Sequence, residues 1–190
     1  NLGNILCDLG KLQEAELSIR KAIDLNPNFP EAHYNLGKIL CDLGKLQEAE
    51  LSIRKAIDLN PNLANAHLNL GSILKDLEKS QEAELSIRKA IDLNPNFPEA
   101  HYNLGNILCD LGKLQEAELS TRKAIEIKPD FADAHYNLGI ILKDFGNFVD
   151  AITHFKKAIK LNDKLSSLSK AALIETKGNI CDWSYQDIQT

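Results

Sequence analysis

The string NPNFPEAHYNLG runs from Asn26 to Gly37 and recurs unchanged from Asn94 to Gly105. Looser copies, NPNLANAHLNLG from Asn60 to Gly71 and KPDFADAHYNLG from Lys128 to Gly139, complete a series that returns every 34 residues. A unit of that length is too short to enclose its own core and buries its apolar face against its neighbours. The 190 residues are therefore expected to form one elongated array rather than two globules. With 44% hydrophobic residues there is material for a continuous core, and no apolar run approaches the roughly 18 residues of a membrane span.

Residues Pro30 to Leu63 show how one unit is built. Leu36, Ile39, Leu40 and Leu43 fall at helical spacing, and Pro30 and Glu31 suit a first turn, where a missing N–H is harmless and a negative charge is favoured. Gly44 then stops that helix. Ala49, Ile53, Ala56 and Ile57 form the stripe of a second helix, which Asn60-Pro61 terminates. Each unit reads as helix A, tight turn, helix B, turn. Gly37, with Ala49 and Ala56, removes bulk where the two helices should cross. Glu16–Arg20, Glu50–Arg54, Glu84–Arg88 and Glu118–Arg122 are i,i+4 pairs on helix B, expected on a solvated outer face. Glu78 stands where the third unit should carry its turn glycine, a substitution costing up to about 1 kcal/mol.

The pattern His33-x-x-Leu36-Gly37-x-x-Leu40, Ala49-x-x-x-Ile53, Ala56 and Pro61 resembles the tetratricopeptide repeat, with His, Leu and Ile in the usual Trp, Tyr and Phe places. The resemblance covers residues 1 to 165 as five units, the first truncated, and Phe155 restores the family aromatic in the fifth. It implies an all-α, right-handed α-solenoid, a superhelix whose A helices line a concave groove for peptides or extended protein segments. Residues 166–190 read as a degenerate sixth repeat or capping segment. Leu173 replaces its helix A glycine, Asp182 is expected to cap a helix, and Trp183, the sole tryptophan, to anchor under the last repeat.

In that geometry two ladders face the groove. Asn1, Asn35, Asn69, Asn103 and Asn137 offer a donor and an acceptor each, suited either to the backbone of an extended chain or to tying helix A to its neighbour. Asp8, Asp42, Asp76, Asp110 and Asp144 form the second ladder, and Lys11, Lys45, Lys79 and Lys113 follow at i+3 as alternative partners. Tyr34, Tyr102, Tyr136 and Lys38 complete the candidate peptide-binding set. With Glu31, Glu99 and Asp133 against Lys38, Lys75 and Lys143, the groove is expected to be acidic. It suits a basic or backbone-recognised segment. Family members that clamp a C-terminal carboxylate resemble basic cradles, with lysines where this chain has Tyr34 and Asp42.

Other chemistries find little support. The net charge of −5 argues against a non-specific nucleic-acid binder. Cys7, Cys41 and Cys109 share one repeat position, where spacing between equivalent helices of about 8–10 Å exceeds the roughly 7 Å a disulfide bridges, so reduced thiols in a cytoplasmic protein are expected. His33, His67, His101 and His135 lie one repeat apart, too far to converge on a metal within about 2.1 Å, and are expected at the helix interface. Neither a Gly-rich phosphate loop nor a paired-carboxylate site is present. No cofactor and no enzymatic activity are expected of this stretch.

Ala132-Asp133-Ala134-His135 with Asn137-Leu138 and Lys143-Asp144, followed by Cys181-Asp182-Trp183 and Tyr185, is similar to the repeats and junction of the O-GlcNAc transferase family. That resemblance implies a substrate-recruiting arm in which Asn35, Asn69, Asn103 and Asn137, with Asp42, Asp76, Asp110 and Asp144, hold the substrate protein. Three readings follow: a peptide-binding interaction module, the recruiting arm of a glycosyltransferase, and a structural solenoid that self-associates through an uncapped N-terminal end. The start at Asn1 inside a helix, without a methionine in the chain, suggests a piece of a longer protein.

Overall fold

The computed structural model describes residues 11–162 and 166–179. The readings for Asn1, Cys7, Asp8 and the Cys181-Asp182-Trp183 junction lie outside them. The chain divides into two compact units, Asn1–Asn103 and Leu104–Thr190.

The described residues of the first unit carry α1 (Leu12–Leu25), α2 (Pro30–Asp42), α3 (Leu46–Leu59), α4 (Ala64–Asp76), α5 (Ser80–Leu93) and the start of α6 (Pro98–Asp110). Helices α2 and α3 form one hairpin, α4 and α5 the next, and α3 packs on α4 to join them. In the second unit α6 leads to α7 (Leu114–Ile127), α8 (Ala132–Asp144), α9 (Phe148–Leu161) and α10 (Ser166–Asn179). Here α8 packs with α7 and α9, and α9 with α10. Among the described residues all regular structure is helical, and the fold class is the all-α solenoid.

The expected punctuation sets the boundaries. Gly44 takes φ +73°, its N–H bonds Cys41 O at 2.9 Å, and Lys45 N–H bonds Leu40 O at 2.8 Å. That is a Schellman ending, which requires the left-handed residue in its middle. Glu78 makes the same turn at φ 60° without glycine's freedom, and Glu78 and Lys79 repeat the two bonds at 2.9 and 2.8 Å. Helix α9 ends at Leu161 although no proline follows.

Close approach of the paired helices depends on one glycine. A Cβ on Gly37 would lie 2.5 Å from Cδ1 and Cγ1 of Ile53, and one on Gly139 2.5 Å from Cε1 of Phe155. Ala49, Ile53 and Ala56 are fully buried, as are Ala151, Phe155 and Ala158. The fourth repeat departs from this pattern. Thr121 takes the isoleucine place, fully buried, and its hydroxyl is satisfied by Ala117 O at 2.8 Å. At the far end Ala172 and Leu173 of α10 close a core with Leu138, Leu142, Ala151 and Phe155. Leu173 stands in the glycine place, where the chain adds no further helix B within the described residues.

The helix B pairs are less solvated than expected. The side chains of Glu16 and Glu50 are 11% and 12% exposed. Glu16 bonds Arg20 and Lys45, both at 2.8 Å, and Glu50 accepts from Arg54 at 2.9 Å and Lys79 at 2.8 Å. Arg20 reaches onward to Glu48 and Arg54 to Glu82, each at 2.7 Å, so the pairs cross from one repeat to the next. The Lys45 and Lys79 ammonium groups, then the arginines, hold both glutamate carboxyls below their usual range.

Candidate functional site

The candidate site is the polar face of the A helices. Its residues recur at one position per repeat because each helix A is the same length and starts from the same turn. In the first unit Lys38, Cys41 and Asp42 of α2 and Asn69, Ser72 and Asp76 of α4 line a recess of about 250 Å³, with Ile53 and Ile73 at its apolar side. Two aspartates from consecutive repeats thus share one recess. The lysines three residues after them do not neutralise it. Lys45 and Lys79 follow the positive-φ turn residue and lead into helix B, where they meet Glu16 and Glu50 instead. The i+3 pairing considered for Asp42 and Asp76 is thereby replaced.

The asparagines have internal bonds. Asn69 donates Nδ2–H to the Tyr34 hydroxyl at 3.2 Å, Asn103 donates to Ser72 Oγ at 3.0 Å, and Asn137 donates to Asn106 Oδ1. Ser72 and Asn106 were not singled out in the sequence. Their signal is variability: the position reads Lys38, Ser72, Asn106 and Ile140 in otherwise near-identical helices. Lys38 offers no acceptor, so Asn69 turns to Tyr34 instead. Each bond occupies one amide hydrogen, and the amide's carbonyl oxygen has no share in it. Tyr34 also carries the Lys38 ammonium 5.9 Å from its ring centre.

In the second unit Tyr136 packs against Phe155, ring centres 5.9 Å apart, and Asp110 and Asp144 both act on Cys109. Burial pushes the Cys41 thiol up to about 11, and the Asp42 and Asp76 carboxylates add to it. Cys109 shifts the same way by burial, then Asp110 and Asp144. Such thiols stay protonated at neutral pH and are poor nucleophiles.

The histidine series has a structural task. His33 bonds Pro27 O and His101 bonds Pro95 O through Nε2 at 2.9 Å; His67 with Pro61 and His135 with Pro129 do so at 3.0 Å. Each histidine ties helix A to the turn that precedes it. His135 gains a ring partner: its Nδ1 lies 2.9 Å from His154 Nδ1, with ring centres 5.2 Å apart. No cluster of three or more His, Cys, Asp or Glu that could hold a metal ion occurs among the described residues.

Hairpins of this length, a glycine at each crossing and a recurring polar face on helix A define a helical-repeat protein of the interaction-module class. The chain belongs to the tetratricopeptide repeat family: profiles described as TPR repeat match residues 3–44 and 105–146, and those described as tetratricopeptide repeat match 30–63, 64–97, 87–118 and 132–165. No curated protein matches the sequence. Among solved structures, it is similar to MamA, at 29% identity and a TM-score of 0.79 over 88% of this chain and 98% of that one. It is also similar to YrrB, described as a TPR protein with an unusual peptide-binding site, at 26% identity and a TM-score of 0.74 over 93% and 88% of the two chains. PilF of Pseudomonas aeruginosa shares the fold at 20% identity, with a TM-score of 0.84 over 95% of this chain and 82% of that one. No helix among the described residues is long and apolar enough to cross a membrane.

Proposed function

We propose that the chain is a protein-interaction module that binds an extended, basic polypeptide segment on the polar face of its A helices. The observation that carries this reading is the recess in which Asp42 and Asp76 meet while the lysines of their own turns are engaged by Glu16 and Glu50. A lysine or arginine side chain placed there meets two carboxylates against the one ammonium of Lys38. The asparagines, each held by one amide hydrogen, present the rest of the amide to a peptide backbone. Similarity to YrrB, a TPR protein with a peptide-binding site, supports the same class of ligand.

The test is a titration of an extended lysine- and arginine-containing peptide against the chain and against an Asn35→Ala, Asn69→Ala, Asn103→Ala variant, with helicity followed in parallel. The expected result is weaker binding at unchanged helicity. Equal affinity would discard the asparagine part of the reading. An Asp42→Asn, Asp76→Asn variant with undiminished affinity would discard the acidic part.

A further inference from the structure

A second recess, repeated in the first unit, uses none of the asparagine or aspartate ladder. Between α1, α2 and α3 it measures about 380 Å³, with Ile23, Leu36 and Leu51 as apolar wall and His33 and Ser52 as polar groups. Between α3, α4 and α5 its counterpart measures about 360 Å³, with His67 and Ser86 in the same places. His33 and His67 each hold a proline carbonyl through Nε2. A carbonyl only accepts, so the proton of the neutral ring sits on Nε2, and Nδ1 is left as a lone-pair acceptor.

The fifth repeat shows what satisfies that acceptor. His154 stands three repeats after Ser52, and His135 three repeats after His33. His135 again bonds a carbonyl, Pro129 O, through Nε2, so in the 2.9 Å contact between the two Nδ1 atoms His154 donates and His135 accepts. The rings lie 28° from parallel. Burial, then His135 and Arg122 at the register of Arg20, lower His154 against the opposing Asp150, and burial, then Lys157 at the register of Lys55, lowers His135. The chain thus fills in one repeat, with its own imidazole, the niche that it leaves open in two others.

We propose that the recesses at His33 and His67 are subsites for the neutral imidazole of a histidine on a partner polypeptide, its ring N–H donated to Nδ1 of His33 or His67. The apolar walls take the ring faces; Arg20, Lys55 and Asp24 also line the first recess, and Arg54, Lys89 and Asp58 the second.

Two probes of nearly equal size isolate the hydrogen bond: 4-methylimidazole, which has a ring N–H, and 1-methylimidazole, which has none. Each is titrated into the whole chain at about pH 9, where free imidazoles are neutral, while the side-chain ¹⁵N resonances of the histidines are recorded. The expected result is a saturable shift of His33 and His67 Nδ1 with 4-methylimidazole, at least about fivefold weaker with 1-methylimidazole, and none at His135. Equal response to both probes, or no saturable shift, would overturn the proposal. A Ser52→His, Ser86→His variant builds the fifth repeat's pair into both recesses and is expected to abolish the shifts. Undiminished shifts in a folded variant would also overturn it, and the two-probe comparison on the unaltered chain decides the matter if that variant does not fold. The Asn35, Asn69 and Asn103 variant is expected to bind the probe normally, which separates this site from the A-helix face.

Discussion

At the scale of single residues, stability is concentrated where side chains are smallest or backbone angles least ordinary. A methyl on Gly37 would meet Ile53 at 2.5 Å, and Ile53 is fully buried with little room to yield. Gly37→Ala is expected to cost about 1–3 kcal/mol through overpacking, despite alanine's better helix propensity. Denaturant unfolding of Gly37→Ala, Ile53→Ala and the double variant should show strong sub-additivity; simple additivity would mean that the contact is not the cause. Glu78 at φ 60° calls for the opposite change. Glu78→Gly is expected to stabilise by up to about 1 kcal/mol, read as a higher denaturant midpoint at unchanged slope. The histidine pair adds a pH dependence. Burial, then His135 and Arg122, push His154 down to about 4. Its folded value lies below its unfolded one, so the unfolded state binds the proton first, and the contribution present above about pH 6.5 is lost as pH falls toward 4. A melting-temperature series from pH 7 to 5 should be flatter for His154→Ser than for the unaltered chain; parallel series would contradict this.

At the scale of helices, the repeats are joined by more than apolar packing. Glu50 of α3 binds Arg54 on its own helix and Lys79 at the start of α5, and Arg54 reaches Glu82. The lysine and arginine side chains are 41–44% exposed, so screening reduces what the network contributes. Glu50→Gln is expected to cost about 1 kcal/mol or less, with the difference shrinking in molar salt. Because the Glu50 carboxyl is held low, its contribution is present above the unfolded value of 4.5 and disappears as pH falls through the folded one. Chemical denaturation at low and high salt checks the first statement and acid titration the second. Helix boundaries could be read from the sequence because glycine and proline act on the backbone locally, as at Gly44 and Pro61. The partners of Lys45 and Lys79 could not, since a positive-φ residue between aspartate and lysine redirects the chain, and nearness in sequence stops meaning nearness in space. The asparagine acceptors were hidden for a related reason. Ser72 and Asn106 sit in the preceding repeat, at the position that varies, and where that position is Lys38 the acceptor moves to Tyr34.

At the scale of the whole molecule, charge separates the two kinds of ligand that this chain is proposed to take. The chain carries a net −5, and in the first unit Asp42 and Asp76 share one recess. A basic peptide drawn to the Asp42 and Asp76 carboxylates binds through charge, so its affinity should track the Debye length, which falls from roughly 14 Å to 4 Å between about 0.05 and 0.5 M salt. The expectation is a loss of about tenfold or more across that range for a peptide with several lysines and arginines. A neutral imidazole probe at the His33 and His67 recesses is held by one hydrogen bond and apolar contact, and its affinity should change by less than about twofold. Titrating both ligands through the same salt series, on one preparation of the chain, compares the two surfaces directly. A salt-insensitive basic peptide would remove the acidic face from the account of binding, and a salt-sensitive imidazole would show that the recess selects the cation rather than the neutral ring.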